Sequence, residues 1–464
     1  MKKEMMMMML LFLLSISKTV VSQKIVKTLP GFQGSLPFML ETGYVGVGEK
    51  EEVQMFYYFF ESENNAEKDP LLAWITGGPG CSVLTAVLYQ SGPIMFNYTN
   101  SRAGKPSLVL NPYSWTMFAN ILYLDFPVGT GFSYATTREG YRISDLISAK
   151  HVNQFLRKWL RTHPKFLSNP FFFGGDSYSG ILVPTILQEI SKGNDKGSEP
   201  KINLKGFMLG NPLTDYKYDL GSRIEFAHKK QLISDQLYKE IEQNCKSEYL
   251  YPDRSNQICV TGLQIVNETF KKVYTSNLYE PKCSHWDLGA LLGETDFSSI
   301  LDNIDVNIHL SFQYCRDYML LFSYYWANDK NVQRALHIRE GTIKVWPRRN
   351  ASLWYNFDVP STVEYHRELS KRGYQALIFS GDADSVIPYL GTYQWIQSLH
   401  LPIKKNWHPW FVDHQVVGYA ISYSKKKYNL TFVTVKGGGH SAQETRPKEC
   451  FAMVNRWFSN YYSI

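Results

Sequence analysis

Short apolar runs that stop abruptly at turn residues recur along this chain, at 71–75, 121–124, 170–173, 206–209, 376–379 and 430–435. Each is too short and too continuous for one face of a surface helix. Such runs read as strands buried on both faces. Between them the apolar period lengthens: Ile143, Leu146, Ile147, Val152, Phe155, Leu156 and Trp159 recur close to every 3.6 residues, the period of an amphipathic helix. Strands alternating with helices predict an α/β fold with a mostly parallel central sheet. From about residue 214 to 329 the rhythm breaks. That stretch is rich in Tyr, Lys, Glu and Asn and holds four of the six cysteines. It reads as a largely helical insertion, a cap over the carboxyl edge of the sheet. The expected organisation is a core at 23–213, a cap at 214–329 and the rest of the core at 330–464, behind a leader at 1–22.

The leader has the grammar of an export signal. Lys2 and Lys3 precede an apolar core at 5–14, and Val20-Val21-Ser22 supplies small residues for cleavage before Gln23. A core of about 10 residues is half of the roughly 20 that a spanning helix needs. No other segment is long and apolar enough, so the expectation is a secreted protein without a membrane anchor, extracellular or vacuolar. The net charge is +7; removing Lys2, Lys3, Lys18 and Glu4 leaves +5. Basic residues are scattered, and Lys425-Lys426-Lys427 reads as a solvated loop, so no nucleic-acid partner is expected. Cysteines in an exported chain imply disulfides. Sequons at Asn97, Asn267, Asn350 and Asn429 suit the same route and are candidate glycosylation sites.

The chemistry starts where one apolar run ends. Phe171-Phe172-Phe173-Gly174-Gly175-Asp176-Ser177-Tyr178-Ser179-Gly180 has the form of a nucleophile elbow: a buried strand, a strained turn carrying one serine, then a helix. Gly175 holds the first glycine place of the pattern, and small Ser179 stands at the second. In an α/β-hydrolase the acid and the histidine follow the serine in that order, each after a strand. The run 376–379 leads into Ser380-Gly381-Asp382-Ala383-Asp384. Asp384 lies further into the loop, whereas Asp382 could shape the turn, and the residues alone favour Asp384 only modestly. Among 11 histidines, His440 follows a strand and the turn Gly437-Gly438-Gly439; its rival His414, next to Asp413, lacks that turn. His440 would take the Ser177 proton, with an aspartate orienting the imidazole. An oxyanion hole needs two amide donors. Tyr178 supplies one, and Gly78, in the loop Gly77-Gly78-Pro79-Gly80-Cys81-Ser82 after the run 71–75, supplies the other. No metal ion or cofactor is expected.

These motifs together, with Leu29-Pro30-Gly31-Phe32, Glu41-Thr42-Gly43-Tyr44, Pro127-Val128-Gly129-Thr130-Gly131-Phe132-Ser133-Tyr134, Gly210-Asn211-Pro212 and Trp326-Ala327-Asn328-Asp329, resemble the serine carboxypeptidase family over nearly the whole mature chain. The resemblance implies the α/β-hydrolase fold. It implies that the second aspartate of Gly381-Asp382-Ala383-Asp384 is catalytic, which selects Asp384. It also implies disulfides Cys81–Cys315 and Cys245–Cys259, and gives Cys283 and Cys450 no partner.

Family carboxypeptidases grip a terminal carboxylate with an asparagine before the glycine loop and a glutamate before the serine. Those places hold Thr76 and Asp176 here. Threonine lacks the two amide donors of asparagine. Aspartate is one methylene shorter, drawing its oxygens back by roughly 1.5 Å. An unmatched polar partner in a buried site costs ~1–3 kcal/mol, or roughly one to two powers of ten in affinity. Thr76, Gly77, Asp176 and Gln90 are therefore the candidate substrate-binding residues. Gln90 stands where the family usually has glutamate, Val83 replaces a frequent serine, and Ser441-Ala442-Gln443 follows His440 where proline is common. The pattern resembles the branch of the family that transfers an acyl group from a glucose ester to an alcohol or amine. A carboxypeptidase acting on peptides is the alternative, and a catalytically silent binding protein is the third.

Overall fold

The computed structural model describes residues 23–99, 101, 105–282 and 316–460. The leader at 1–22 lies outside them. In chain order the strands are β1 (Lys24–Ile25), β2 (Leu40–Val47), β3 (Val53–Phe60), β4 (Leu71–Ile75), β5 (Ile94–Phe96), β6 (Leu108–Leu110), β7 (Asn120–Leu124) and β8 (Tyr134–Ala135). They continue with β9 (Ile143–Ser144), β10 (Phe171–Asp176), β11 (Leu204–Gly210), β12 (Tyr355–Asn356), β13 (Gln375–Gly381), β14 (Ile403–Val412), β15 (Gln415–Lys425) and β16 (Tyr428–Val435).

The main sheet is mixed, in the order β1-β2-β3-β7-β4-β10-β11-β13-β16-β15-β14. Its six middle strands, from β7 to β16, are parallel. Both flanks are antiparallel. β10 lies at the middle, with Phe173 opposite Ala73 of β4 and Phe207 of β11.

Side chains alternate across a strand, so one unbroken apolar run feeds two cores. Phe171 and Phe173 join Ala73, Phe207 and Ile378 on one face, under Phe155 and Trp159 of the helix Asp145–Thr162 and Ile186 of the helix Ser179–Asp195. Phe172 joins Trp74, Met208 and Leu377 on the other, under Trp326 of the helix Arg316–Asn328 and Trp457 of the helix Pro447–Asn460. The helix Asp145–Thr162 starts at Ser144, whose hydroxyl accepts from the Ile147 amide. It buries Val152, Phe155, Leu156 and Trp159, whereas Leu146 and Ile147 of its first turn are exposed. That turn is tied instead by polar contacts to the segment around residue 358, through Asp358 and Asp145.

Helices Tyr216–Lys229, Asp235–Cys245 and Gln257–Lys271 build a small core of their own from Ile224, Ile241, Val266 and Phe270. A disulfide joins Cys245 to Cys259 inside it. The chain leaving these helices then crosses the loops at the carboxyl ends of β13 and β16. Ser385 donates to the Thr275 carbonyl, His440 to Ser276, and Leu278 to Ala383. Among the described residues no helix is long and apolar enough to cross a membrane.

Candidate active site

Ser177 sits between β10 and the helix Ser179–Asp195 with φ at +57°, a left-handed conformation that a side-chain-bearing residue holds only under strain. Its amide donates to Gly210 of β11 and its carbonyl accepts from Gly180 and Leu213, which fixes the turn from both sides. The turn needs glycine at 175, where an added Cβ would lie 2.6 Å from the Ser179 Cβ.

His440 Nε2 lies 2.8 Å from Ser177 Oγ, and His440 Nδ1 lies 2.8 Å from Asp384 Oδ2. Asp384 is fully buried and also accepts from the Asn211 side-chain amide at 2.8 Å and from the Val386 and Ile387 backbone amides. Asn211 in turn accepts from the Gly381 amide, locking the acid loop to the end of β11. Burial works to lower the His440 pKa. The Asp384 carboxylate, with a smaller contribution from Asp176, outweighs it and holds the imidazole above its ordinary value. Asp382 points elsewhere, accepting from the Gly437 amide at 2.6 Å and so shaping the glycine turn that delivers His440. His414 is exposed in the β14–β15 turn.

The amides of Gly78 and Tyr178 have no acceptor among the described residues. The glycine loop packs directly on the elbow. A Cβ on Gly77 would lie 2.6 Å from both the Ser177 Cβ and the Tyr178 nitrogen. The Tyr178 phenol donates to buried Asp145 at 2.9 Å, pinning the residue whose amide faces the site.

A cavity of about 380 Å³ opens over these groups, lined by Ser177, His440, Thr76, Asp176, Gln90 and Arg316 among others. At its floor the Thr76 hydroxyl donates to the Cys81 carbonyl at 2.6 Å. Asp176 Oδ1 accepts from the Gly77 amide, and Oδ2 accepts from the amides of Gln90 at 3.2 Å and Gln443 at 3.1 Å. Burial pushes the Asp176 carboxyl up, opposed by His440 and by the Gly77 and Gln90 donors. Arg316 is held by Glu280 and Glu444, while Arg348 and Arg349 line the same cavity with no acidic partner among the described residues.

Asn211 and Gln443 were visible in the sequence only as a motif and a departure from one. Neither shows its role there, because each meets its partner across a large chain separation. Cys315 and Cys283 lie outside the described residues, so the Cys81–Cys315 pair falls there too. Cys81 forms a backbone bridge with Arg349, and Cys450 is buried in the core. Of the sequons, Asn267 is exposed and Asn97 and Asn429 are half-buried. The Asn350 amide donates to the Gly129 carbonyl at 2.9 Å, engaging the nitrogen that a glycan would need.

The serine carboxypeptidase family profile matches residues 30–460. The chain is 47% identical to serine carboxypeptidase-like 17 of Arabidopsis thaliana over 447 residues, covering 96% of this chain and 95% of that one. It is 45% identical to serine carboxypeptidase-like 1 of the same plant over 450 residues, covering 97% and 96%. Its fold is similar to the crystal structure of Kex1Δp, a prohormone-processing carboxypeptidase from Saccharomyces cerevisiae, with TM-score 0.75 and 21% identity over 94% of this chain and 95% of that one. A match that runs from β1's successor segment to the last helix places the protein in the serine carboxypeptidase family, as a serine hydrolase of the α/β-hydrolase fold.

Proposed function

We propose that Ser177, His440 and Asp384 form an acyl-enzyme with a glucose ester and pass the acyl group to an alcohol or amine. Ser177 Oγ attacks the ester carbonyl as His440 takes its proton, and the amides of Gly78 and Tyr178 receive the developing oxyanion. His440 returns the proton to the leaving sugar. The acceptor's hydroxyl or amine then repeats the sequence in reverse and releases Ser177. Residues 214–329 act as a cap over this site, and the export-type leader and sequons set the enzyme in a secretory lumen, extracellular or vacuolar.

The observation that carries this reading is the floor of the cavity. A peptide's terminal carboxylate needs donors, and Thr76 spends its hydroxyl proton on Cys81. Asp176 presents acceptor oxygens. Arg348 and Arg349, unpaired among the described residues, favour the second reading, a carboxypeptidase, because they would attract a carboxylate. The two are separated by offering a blocked dipeptide in one reaction and an aromatic acyl-glucose with an alcohol acceptor in another. Ester product from the second, with slow dipeptide cleavage, is expected; fast cleavage without transfer refutes the proposal. The double variant Thr76→Asn, Asp176→Glu is expected to gain peptide cleavage.

A further inference from the structure

Gln443 lies three positions beyond His440, fully buried in the short helix Ala442–Thr445. Its amide nitrogen reaches Gln90 Oε1 at 2.9 Å and Asp176 Oδ2 at 3.1 Å, and the Gln90 nitrogen reaches the same Oδ2 at 3.2 Å. Both side-chain amides thus turn their NH₂ groups toward one carboxylate oxygen. The arrangement leaves Gln443 Oε1 buried with no donor among the described residues. A buried acceptor left unpaired costs about 1–3 kcal/mol, and what offsets it is the nitrogen's contact with two acceptors, Asp176 Oδ2 and Gln90 Oε1. Among the described residues every hydrogen bond to the Asp176 carboxylate comes from an N–H donor: Gly77, Gln90 and Gln443. The titratable groups that face it are His440, Glu444 and Cys81. That donor set fits an ionised carboxylate, which has only acceptors to offer.

We infer that Gln443 is a specificity-determining residue, holding Asp176 as a pure acceptor so that the Asp176 side of the cavity disfavours substrates whose leaving group carries a carboxylate. Asp176 lines the cavity beside Ser177. At Asp176 itself a leaving-group carboxylate meets an anion and no proton, which opposes the pull of Arg348 and Arg349 from elsewhere in the cavity lining, whereas a neutral leaving group with a hydroxyl or amide N–H finds an acceptor. The inference rests on Ser177 as the nucleophile, and not on glucose as the leaving group or on transfer over hydrolysis.

The test uses two esters with the same acyl group, cinnamoyl glycolate and cinnamoyl glycolamide. They differ only at the end of the leaving group, a carboxylate with no donor against a neutral amide with two. In both, Ser177 Oγ forms the new acyl bond as the ester C–O bond breaks, the leaving oxygen takes the proton from His440, and water then frees the acid. The wild-type protein is expected to prefer the neutral ester in kcat/KM by about tenfold or more, the size of one mismatched buried polar contact. Gln443→Leu withdraws one donor from Oδ2. Gln443→Glu sets a second carboxyl against it, and two carboxyls so close cannot both ionise, so the pair holds a proton to donate. Both variants are expected to carry the preference toward one, the Glu variant furthest. A residue that merely supports the fold would lower both rates together and leave their ratio unchanged. An unchanged ratio in both variants, or a wild type with no preference for the neutral ester, overturns the inference. The transfer assay with acyl-glucose is read separately, so its failure leaves this ratio standing.

Discussion

At the scale of single residues, the proposed chemistry turns on how His440 is poised. The imidazole must be neutral to accept the Ser177 proton. Its pKa is lowered by burial but raised by more through Asp384 at 2.8 Å. Reaction of Ser177 with an organophosphate reagent is therefore expected to rise with pH through a midpoint above 6.5, the ordinary histidine value. In Asp384→Asn the attraction disappears and the burial penalty remains, so the midpoint moves below that value. The rate at the plateau is expected to drop by a factor on the order of 10⁴, the effect of losing the orienting acid. Labelling rate against pH, with mass spectrometry locating the adduct, checks both. An adduct that persists in Ser177→Ala, or an upward midpoint in Asp384→Asn, defeats the assignment. The serine and histidine were legible because each sits in a local pattern, an apolar run followed by glycines. The choice between Asp382 and Asp384 was not settled by the residues alone; it came from family resemblance. Asn211 meets Asp384 across 173 positions and Gln443 meets Asp176 across 267, and no local pattern encodes such contacts.

At the scale of elements, strands buried on both faces were the readable part. The runs at 71–75, 121–124 and 430–435 fall in β4, β7 and β16. β14 carries Lys404, Lys405, Asn406, His408 and Pro409, which leave only the short apolar stretch Trp410-Phe411-Val412 at its end. It is a strand because β15 pairs with it at the sheet's edge, where charge and proline guard against further pairing. The antiparallel hairpin β2–β3 was likewise unread, since an all-aromatic run such as Phe56-Tyr57-Tyr58-Phe59-Phe60 has no period to classify it. One contact between elements makes a sharp test. Gly77 ends the β4 turn with no room for a side chain, its would-be Cβ 2.6 Å from Ser177 Cβ and from the Tyr178 nitrogen. Gly77→Ala is expected to push the glycine loop off the elbow and spoil the oxyanion site, lowering kcat by about 10²–10³-fold, the cost of one lost donor. The expected change in KM is small by comparison. Kinetics on an activated ester, with circular dichroism to establish that the variant is folded, measure this. Wild-type kcat in a folded variant would show that the loop does not complete the site.

At the scale of the whole molecule, buried titratable groups outside the proposed triad tie stability to pH, Asp219, Asp125 and His366 foremost among them. Burial raises Asp219 to about 8 and Asp125 to about 6, and lowers His366 to about 3. Asp219 accepts from the Thr214 and Asp215 amides at the start of the helix Tyr216–Lys229, yet its other oxygen has no donor among the described residues. Folded Asp219 therefore binds its proton more tightly than an unfolded aspartate, which releases it near about pH 3.9. Its contribution to stability is fully present below that pH and is lost as pH rises to about 8. Asp125 acts in the same direction up to about 6. His366 acts oppositely, because its folded pKa is depressed; its contribution is present above about 6.5 and lost as pH falls toward about 3. Between about pH 6.5 and 8 the His366 and Asp125 changes, which oppose each other, tail off, and Asp219 still pulls stability down. His440, raised above its ordinary value, pulls the same way. The melting temperature of the wild-type protein is accordingly expected to fall from pH 6.5 to 8. Asp219→Asn keeps an acceptor for the two amides but has no proton to lose, so its decline over the same interval is expected to be visibly shallower. Equal slopes for the two proteins in thermal melts across that interval would show that Asp219 is already ionised in the folded state.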